Sequence, residues 1–126
     1  MLKNGQLTTK YIEKPWGSET WICENDIYAA KILRINKGMR LSLQYHKIKK
    51  ETLYLFGGLC KITINYPPDK ELKTVLMGPG EVWEIPSSTI HRLEAIHDST
   101  IFEISTPELD DVVRIEDDYG RNNNDT

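Results

Sequence analysis

Residues 38–58 read GMRLSLQYHKIKKETLYLFGG. Taken as a strand, Leu41 to His46 alternates its side chains between two faces. Arg40, Ser42, Gln44 and His46 then share one face, and Leu41, Leu43 and Tyr45 share the other. Glu51 opens the next strand, and Leu53 and Leu55 continue its face. In a closed barrel one of these faces is the lumen. A row of Arg, Ser, Gln and His makes a poor core, because every buried polar group needs a partner. It makes a good wall for a wet pocket with a metal at one end.

Outward from this stretch, short strand signals recur. Thr20 to Cys23, Tyr28 to Ile35, Thr52 to Phe56, Cys60 to Tyr66, Lys73 to Met77, Glu81 to Ile85, His91 to Ala95 and Ser99 to Ser105 are rich in Ile, Leu, Val, Thr or aromatics. Asn36-Lys37-Gly38, Gly57-Gly58, Pro67-Pro68-Asp69, Gly78-Pro79-Gly80 and Pro86-Ser87-Ser88 read as the turns between them. No segment repeats apolar residues convincingly at helical spacing. This pattern predicts an all-β sandwich or barrel of antiparallel strands. From Pro107 to Tyr119 the chain turns acidic, with Asp110, Asp111, Glu116, Asp117 and Asp118 flanking Val112, Val113 and Ile115. That stretch reads as a short helix followed by an extended segment on the barrel. The 126 residues make one domain. Its parts are an arm over 1–12, a barrel over 13–106, a packed segment over 107–121 and a disordered tail over 122–126.

A net charge of −3 without a basic stripe argues against a nucleic-acid binder, although the scattered cations could hold one small anion. The start, MLKNGQLTTK, lacks the apolar run of a signal peptide, and no stretch approaches the ~20 apolar residues of a membrane span. Cys23 and Cys60 have neither metal nor redox spacing and read as free thiols of a cytoplasmic protein.

Gln44, His46, Glu51 and His91, the last directly after the Pro86 turn, converge on one point in such a barrel. Two imidazoles, a carboxylate and an amide oxygen suit one divalent metal: zinc first, with Mn, Co, Ni and Fe as the others. The absence of thiolate ligands argues against a structural zinc site.

Gly38-x5-Gln44-x-His46-x4-Glu51-x6-Gly58 resembles the first cupin motif, with Gln44 where many cupins carry His. Gly80-x5-Pro86-x4-His91 resembles the second, with Ser88 in place of its usual Gly and Ala95 in place of a frequent Asn. Five strings go further. Lys14-Pro15-Trp16-Gly17-Ser18-Glu19, Arg40-Leu41-Ser42-Leu43-Gln44-x-His46, Ile85-Pro86, His91-Arg92-Leu93-Glu94 and Asp111 to Arg121 are similar to the type II mannose-6-phosphate isomerase domain. That domain usually ends a bifunctional enzyme with mannose-1-phosphate guanylyltransferase. The resemblance implies a double-stranded β-helix, the jelly-roll-type cupin barrel. It also implies metal-dependent interconversion of mannose 6-phosphate and fructose 6-phosphate through an enediol, in nucleotide-sugar or polysaccharide biosynthesis. Since no nucleotidyltransferase domain precedes the cupin motifs, it implies no guanylyltransferase activity. Lys47-Ile48-Lys49-Lys50 and Thr52-Leu53 depart from the family, where His, Arg and His-Trp are usual.

For this chemistry the candidate catalytic residues are Glu103, Lys49 and Arg114. Glu103 or Lys49 is the base, and the lysine would need its pKa lowered by burial or by the metal. Arg40 is the first choice for the phosphate, ahead of Arg114 and Arg92, and Ser42 shares its wall. Plainer readings stand beside these. His97 is a loop residue next to Asp98, Arg92 and Glu94 form an outward ion pair of little worth, and Trp16 and Trp83 are core or dimer contacts. The expected partner is a small-molecule sugar phosphate, not nucleic acid or membrane. A C2 homodimer is expected as well, with Lys14 to Gly17 exchanged across it and Ile101 to Ile104 at its interface. Competing functions are an isomerase or epimerase of another activated sugar, a non-catalytic sugar-binding cupin, and a non-haem iron dioxygenase using His46, Glu51 and His91.

Overall fold

Alternating Ile, Leu and Val bury one face of a short segment and leave the other to water, which favours strands. The computed structural model describes residues 1–121 and contains, among them, nine strands and no helix. They are β1 (Lys10–Lys14), β2 (Gly17–Glu24), β3 (Ala29–Ile35), β4 (Leu43–Tyr45), β5 (Glu51–Ile64), β6 (Lys73–Met77), β7 (Val82–Ile85), β8 (His91–Ser105) and β9 (Val113–Glu116). One path of antiparallel neighbours runs β1-β2-β3-β8-β4-β9, and β5 pairs with β8, β7 and β6. The curled sheet buries Trp16, Leu33, Leu55, Ile62, Met77 and Ile101.

The β5–β8 ladder sets the shape. It runs from Glu51 opposite Ser105 to Ile64 opposite His91. A straight strand of that length would span roughly 43 Å. Yet the side chains of Glu51 and His91, from opposite ends of the ladder, meet at 3.0 Å. The ladder therefore coils back on itself. Its corner lies between Leu55 and Cys60, where the register shifts. Before the corner Leu53 and Leu55 face inward; after it Cys60, Ile62 and Ile64 do, so the inward parity changes across the bulge. Gly58 has φ +98°, and a Cβ there would stand 2.3 Å from the carbonyl oxygen of Asp98. Only glycine fits.

Several expectations shift. Gly57-Gly58 is a bulge inside β5, not a turn between two strands, and β8 likewise runs unbroken from His91 to Ser105. Turns and bulges ask for the same glycines, because both need positive φ. β4 is only Leu43–Tyr45, and Arg40 makes an isolated bridge to Glu94. β1 begins inside the expected arm, so the barrel starts at Lys10. The C-terminal segment has no helix: it turns through Pro107 to Asp111 and adds β9 to β4. Val113, Arg114, Ile115 and Glu116 alternate as a strand does, a signal masked by their acidic neighbours. The tail over 122–126 lies outside the described residues. Lys14 to Gly17 turns back on its own sheet, and Trp16, 2% exposed, fills the chain's own core. On the outer face Phe102 stacks on Tyr54 and Phe56, with ring centroids 5.9 and 5.5 Å apart.

Gly58→Ala forces a strained backbone and a backbone clash at the corner. We expect it to lose about 3 kcal/mol of stability, read as a lower midpoint in chemical denaturation. Gly38→Ala, at a turn with open space around it, should lose less.

Candidate metal centre

His46 follows β4, Glu51 opens β5 and His91 opens β8. Coiling of the ladder brings all three into one buried group whose ligand atoms lie within 4.8 Å of one another. The ring nitrogens are already assigned by their partners. His46 Nδ1 donates to the carbonyl of Asp111 at 2.6 Å, and His91 Nδ1 donates to that of Thr89 at 2.8 Å. Each Nε2 is left facing Glu51 Oε1, at 3.4 Å from His46 and 3.0 Å from His91. Two nitrogen lone pairs and a carboxylate oxygen converging in a buried space repel one another unless a cation sits among them. The donor set, with carbonyls orienting both imidazoles from behind, fits a divalent first-row metal. Gln44 is half-buried in the same pocket wall, with its backbone beside His91 on one side and Arg114 on the other.

The C-terminal segment braces this centre. The Asp111 carboxylate accepts the backbone N–H groups of Lys47, Ile48 and Lys49 at 3.0, 2.7 and 2.9 Å, and these bonds hold its pKa below the usual range despite partial burial. One residue thus orients His46 and ties down the loop between His46 and Glu51. Ser88, where the motif usually has Gly, takes the glycine-like φ of 63° and donates its N–H to the His46 carbonyl.

Lys49 lies buried between Glu103 Oε2 at 3.0 Å and Glu51 Oε2 at 3.3 Å. Burial alone would lower its pKa, but Glu103 and then Glu51 outweigh burial and raise it. Two carboxylates around the Lys49 ammonium favour its charged form, which points to Glu103 rather than the lysine as the base. Burial, and then Glu51, push Glu103 up, against the pull of Lys49 and Lys31. Beyond Glu103, Lys31 meets Glu19 at 3.5 Å, and Glu19 accepts the Trp21 indole N–H at 2.8 Å.

Ser42 and Arg114 line the pocket with the metal-type residues. Arg40 does not. Its guanidinium points away and grips Asp118, with Nη2 to Oδ1 at 2.8 Å. The strand breaks at Leu41 and Ser42, so the side-chain parity read from Gln44 does not carry back to Arg40. Arg92 is not in the pocket either, nor is it in the expected surface ion pair. It is buried under β9, donating to the carbonyls of Leu41 and Glu116. Sequence reasoning missed Lys14, Glu19, Trp21, Lys31 and Arg121 in the pocket wall and Asp111 behind it. Lys14, Glu19, Asp111 and Arg121 all sit in the family-like strings quoted above, which was the available signal.

The coiled antiparallel sheet with a His–Glu–His group at one end is a cupin. Two solved cupins superpose on it. KdgF from Halomonas sp. gives a TM-score of 0.69 at 15% identity, covering 79% of this chain and 86% of that one. Oxalate decarboxylase from Bacillus subtilis gives 0.70 at 20% identity, covering 85% of this chain and 30% of that one. Within that class, residues 3–117 match the family model described as "Mannose-6-phosphate isomerase C-terminal", and the chain belongs to that family. Mannose-1-phosphate guanylyltransferase ManC of Salmonella typhimurium is 34% identical over 115 residues, which are 87% of this chain. The chain spans only 23% of that relative's length. Among the described residues no helix is long and apolar enough to cross a membrane.

His91→Ala removes a ligand outright and should abolish stoichiometric metal uptake. Asp111→Ala leaves the ligands but frees the loop, and should weaken metal binding roughly 10- to 100-fold. Competition against a chromophoric chelator measures both.

Proposed function

We propose that this chain is a metal-dependent sugar-phosphate isomerase that interconverts mannose 6-phosphate and fructose 6-phosphate, supplying nucleotide-sugar or polysaccharide biosynthesis. The observation that carries the reading is Glu103. It is a second buried carboxylate, in the same pocket as the His–Glu–His group but outside it. Aldose–ketose isomerisation needs stabilisation of charge on the sugar oxygens beside a base that moves a proton between C2 and C1. His46, Glu51, His91 and Gln44 would hold the metal, which supplies Lewis acidity when bound.

Glu103 acts as the base. It takes the proton from C2, the C2–H electron pair becomes the C1=C2 double bond, and the carbonyl oxygen takes up the charge. The proton of the C2 hydroxyl passes to the C1 oxygen, the C2–O electron pair becomes the new carbonyl, and the C1=C2 pair takes the proton back from Glu103 at C1, which completes the ketose. Lys49 holds Glu103 in place through its 3.0 Å bond and keeps its own proton throughout. Membership of the isomerase-type family supports the reading. The name guanylyltransferase belongs to relatives that this chain covers only in small part, and it is not transferred.

For quaternary structure we propose the expected homodimer, paired through the outer aromatic band. That band joins Tyr54, Phe56 and Phe102 with the exposed Val82 and Ile104, an apolar surface that a monomer would leave in water. Light scattering should report a dimer for the native chain and a monomer for Phe102→Glu.

The isomerase test is turnover. With metal loaded, mannose 6-phosphate should yield fructose 6-phosphate by NMR, and Glu103→Gln should lower kcat by about 10²- to 10⁴-fold at unchanged metal content. Stoichiometric metal without turnover in the native chain would overturn the isomerase, and oxygen uptake with Fe(II) would replace it with the oxygenase.

A further inference from the structure

Glu51 turns its two oxygens to different neighbours. Oε1 stands 3.0 Å from His91 Nε2 and 3.4 Å from His46 Nε2. Oε2 stands 3.3 Å from the Lys49 ammonium. Neighbouring donors that share one ion at ~2.0–2.1 Å stand roughly 3.0 to 3.4 Å apart around it. Oε1 already keeps that spacing to both imidazoles, so it is the oxygen placed for a metal. Oε2 is engaged by a cation. Lys49 is not free to swing aside. It is buried with both of its carboxylates. Its ammonium also donates to Glu103 Oε2 at 3.0 Å, and its backbone N–H donates to Asp111 Oδ2 at 2.9 Å. Glu103 belongs to β8 and Asp111 to the C-terminal segment, so separate parts of the chain fix the residue at its head and at its backbone.

We propose that Lys49 is a positioning residue of the metal centre: by holding Oε2 of Glu51 it makes that carboxylate a one-oxygen ligand, and it thereby biases the centre toward zinc and against manganese. The inference rests on the metal centre described above and not on the isomerase reading. The physical reason is competition for lone pairs. An ammonium at Oε2 takes the lone pairs that a second bond to the ion would use, and its charge repels an ion drawn to that side. Zinc settles for a small donor set of nitrogen and oxygen. Manganese favours a fuller, oxygen-rich one, and a carboxylate locked to one oxygen contributes less to it. Each position that Glu51 leaves unfilled is one that a substrate oxygen can take.

The test uses the full chain, with zinc and manganese binding each measured by competition against a chelator. Lys49→Met frees Oε2, and the preference for zinc over manganese should fall about 10-fold or more. Lys49→Arg, which returns a cation to the two carboxylates, should recover it in part. Lys31→Met removes a cation of the same pocket wall that pairs with Glu19 and not with Glu51, and should leave the preference as it is. Cobalt(II) reads the donor number: its visible absorption should weaken in Lys49→Met as Glu51 closes on the ion with both oxygens. A role limited to charge or to folding moves both metals alike and leaves the cobalt spectrum unchanged, and that result overturns the proposal. So does a Lys31→Met shift as large as that of Lys49→Met. The native chain supplies a measurement that no folding defect obscures. In the infrared difference between zinc-loaded and metal-free protein, the two carboxylate bands of Glu51 should move apart, the mark of binding through one oxygen. Bands that draw together report binding through both oxygens and overturn the proposal while the metal centre stands. A native chain that takes up no metal removes the centre and the proposal with it, and metal uptake without turnover removes the isomerase alone.

Discussion

The pocket exists because the β5–β8 ladder closes on itself. Glu51 and His91 belong to opposite ends of one long pairing, and a flat ladder would hold them tens of ångströms apart. The corner at Gly57 and Gly58 bends both strands and exchanges the inward parity of β5. After that exchange the far half still delivers Ile62 and Ile64 to the core while the near half delivers Leu53, Leu55 and Glu51. The whole centre therefore hangs on a backbone conformation that a side chain at residue 58 forbids.

Burying this much charge would destabilise the fold unless each group met an opposite one. Glu51 sits between two imidazoles on one oxygen and the Lys49 ammonium on the other. Lys49 in turn bridges to Glu103, and beyond it Lys31 bridges to Glu19. Signs alternate along this chain from the metal end outward. A compact ammonium at residue 49 contacts both carboxylates with single point-charge bonds, where the wider arginine fork usual in the family would need more room. The departure from the family at this residue therefore keeps the charge and changes the shape.

The C-terminal segment is structural as well as functional. Asp111 fixes His46 and the following loop, Arg92 bonds β9 to the chain ahead of β4, and Asp118 and the Tyr119 hydroxyl both hold residue 40. One edge strand thus carries Arg114 into the pocket and braces a metal ligand from behind. Residues far apart in sequence, 46 and 111 or 40 and 118, act as one unit.

The strands, the all-β class and the inward placement of His46, Glu51 and His91 were legible in the chain itself. Period-two alternation and the motif spacing are local properties, and local sequence carries them. The membership of Asp111 and Arg121 in a family-like string was visible too, although not what they touch. Tertiary structure decided three things. It turned Gly57-Gly58 from an apparent loop into the corner of a continuous ladder, because a bulge and a turn demand the same glycine conformation and differ only in what lies opposite. It sent Arg40 outward to Asp118, because two residues outside the strand end the alternation on which its placement was read. And it gathered Lys14 with Arg114 and Arg121, since curling of the sheet, which no local pattern records, brings its two edges to one pocket.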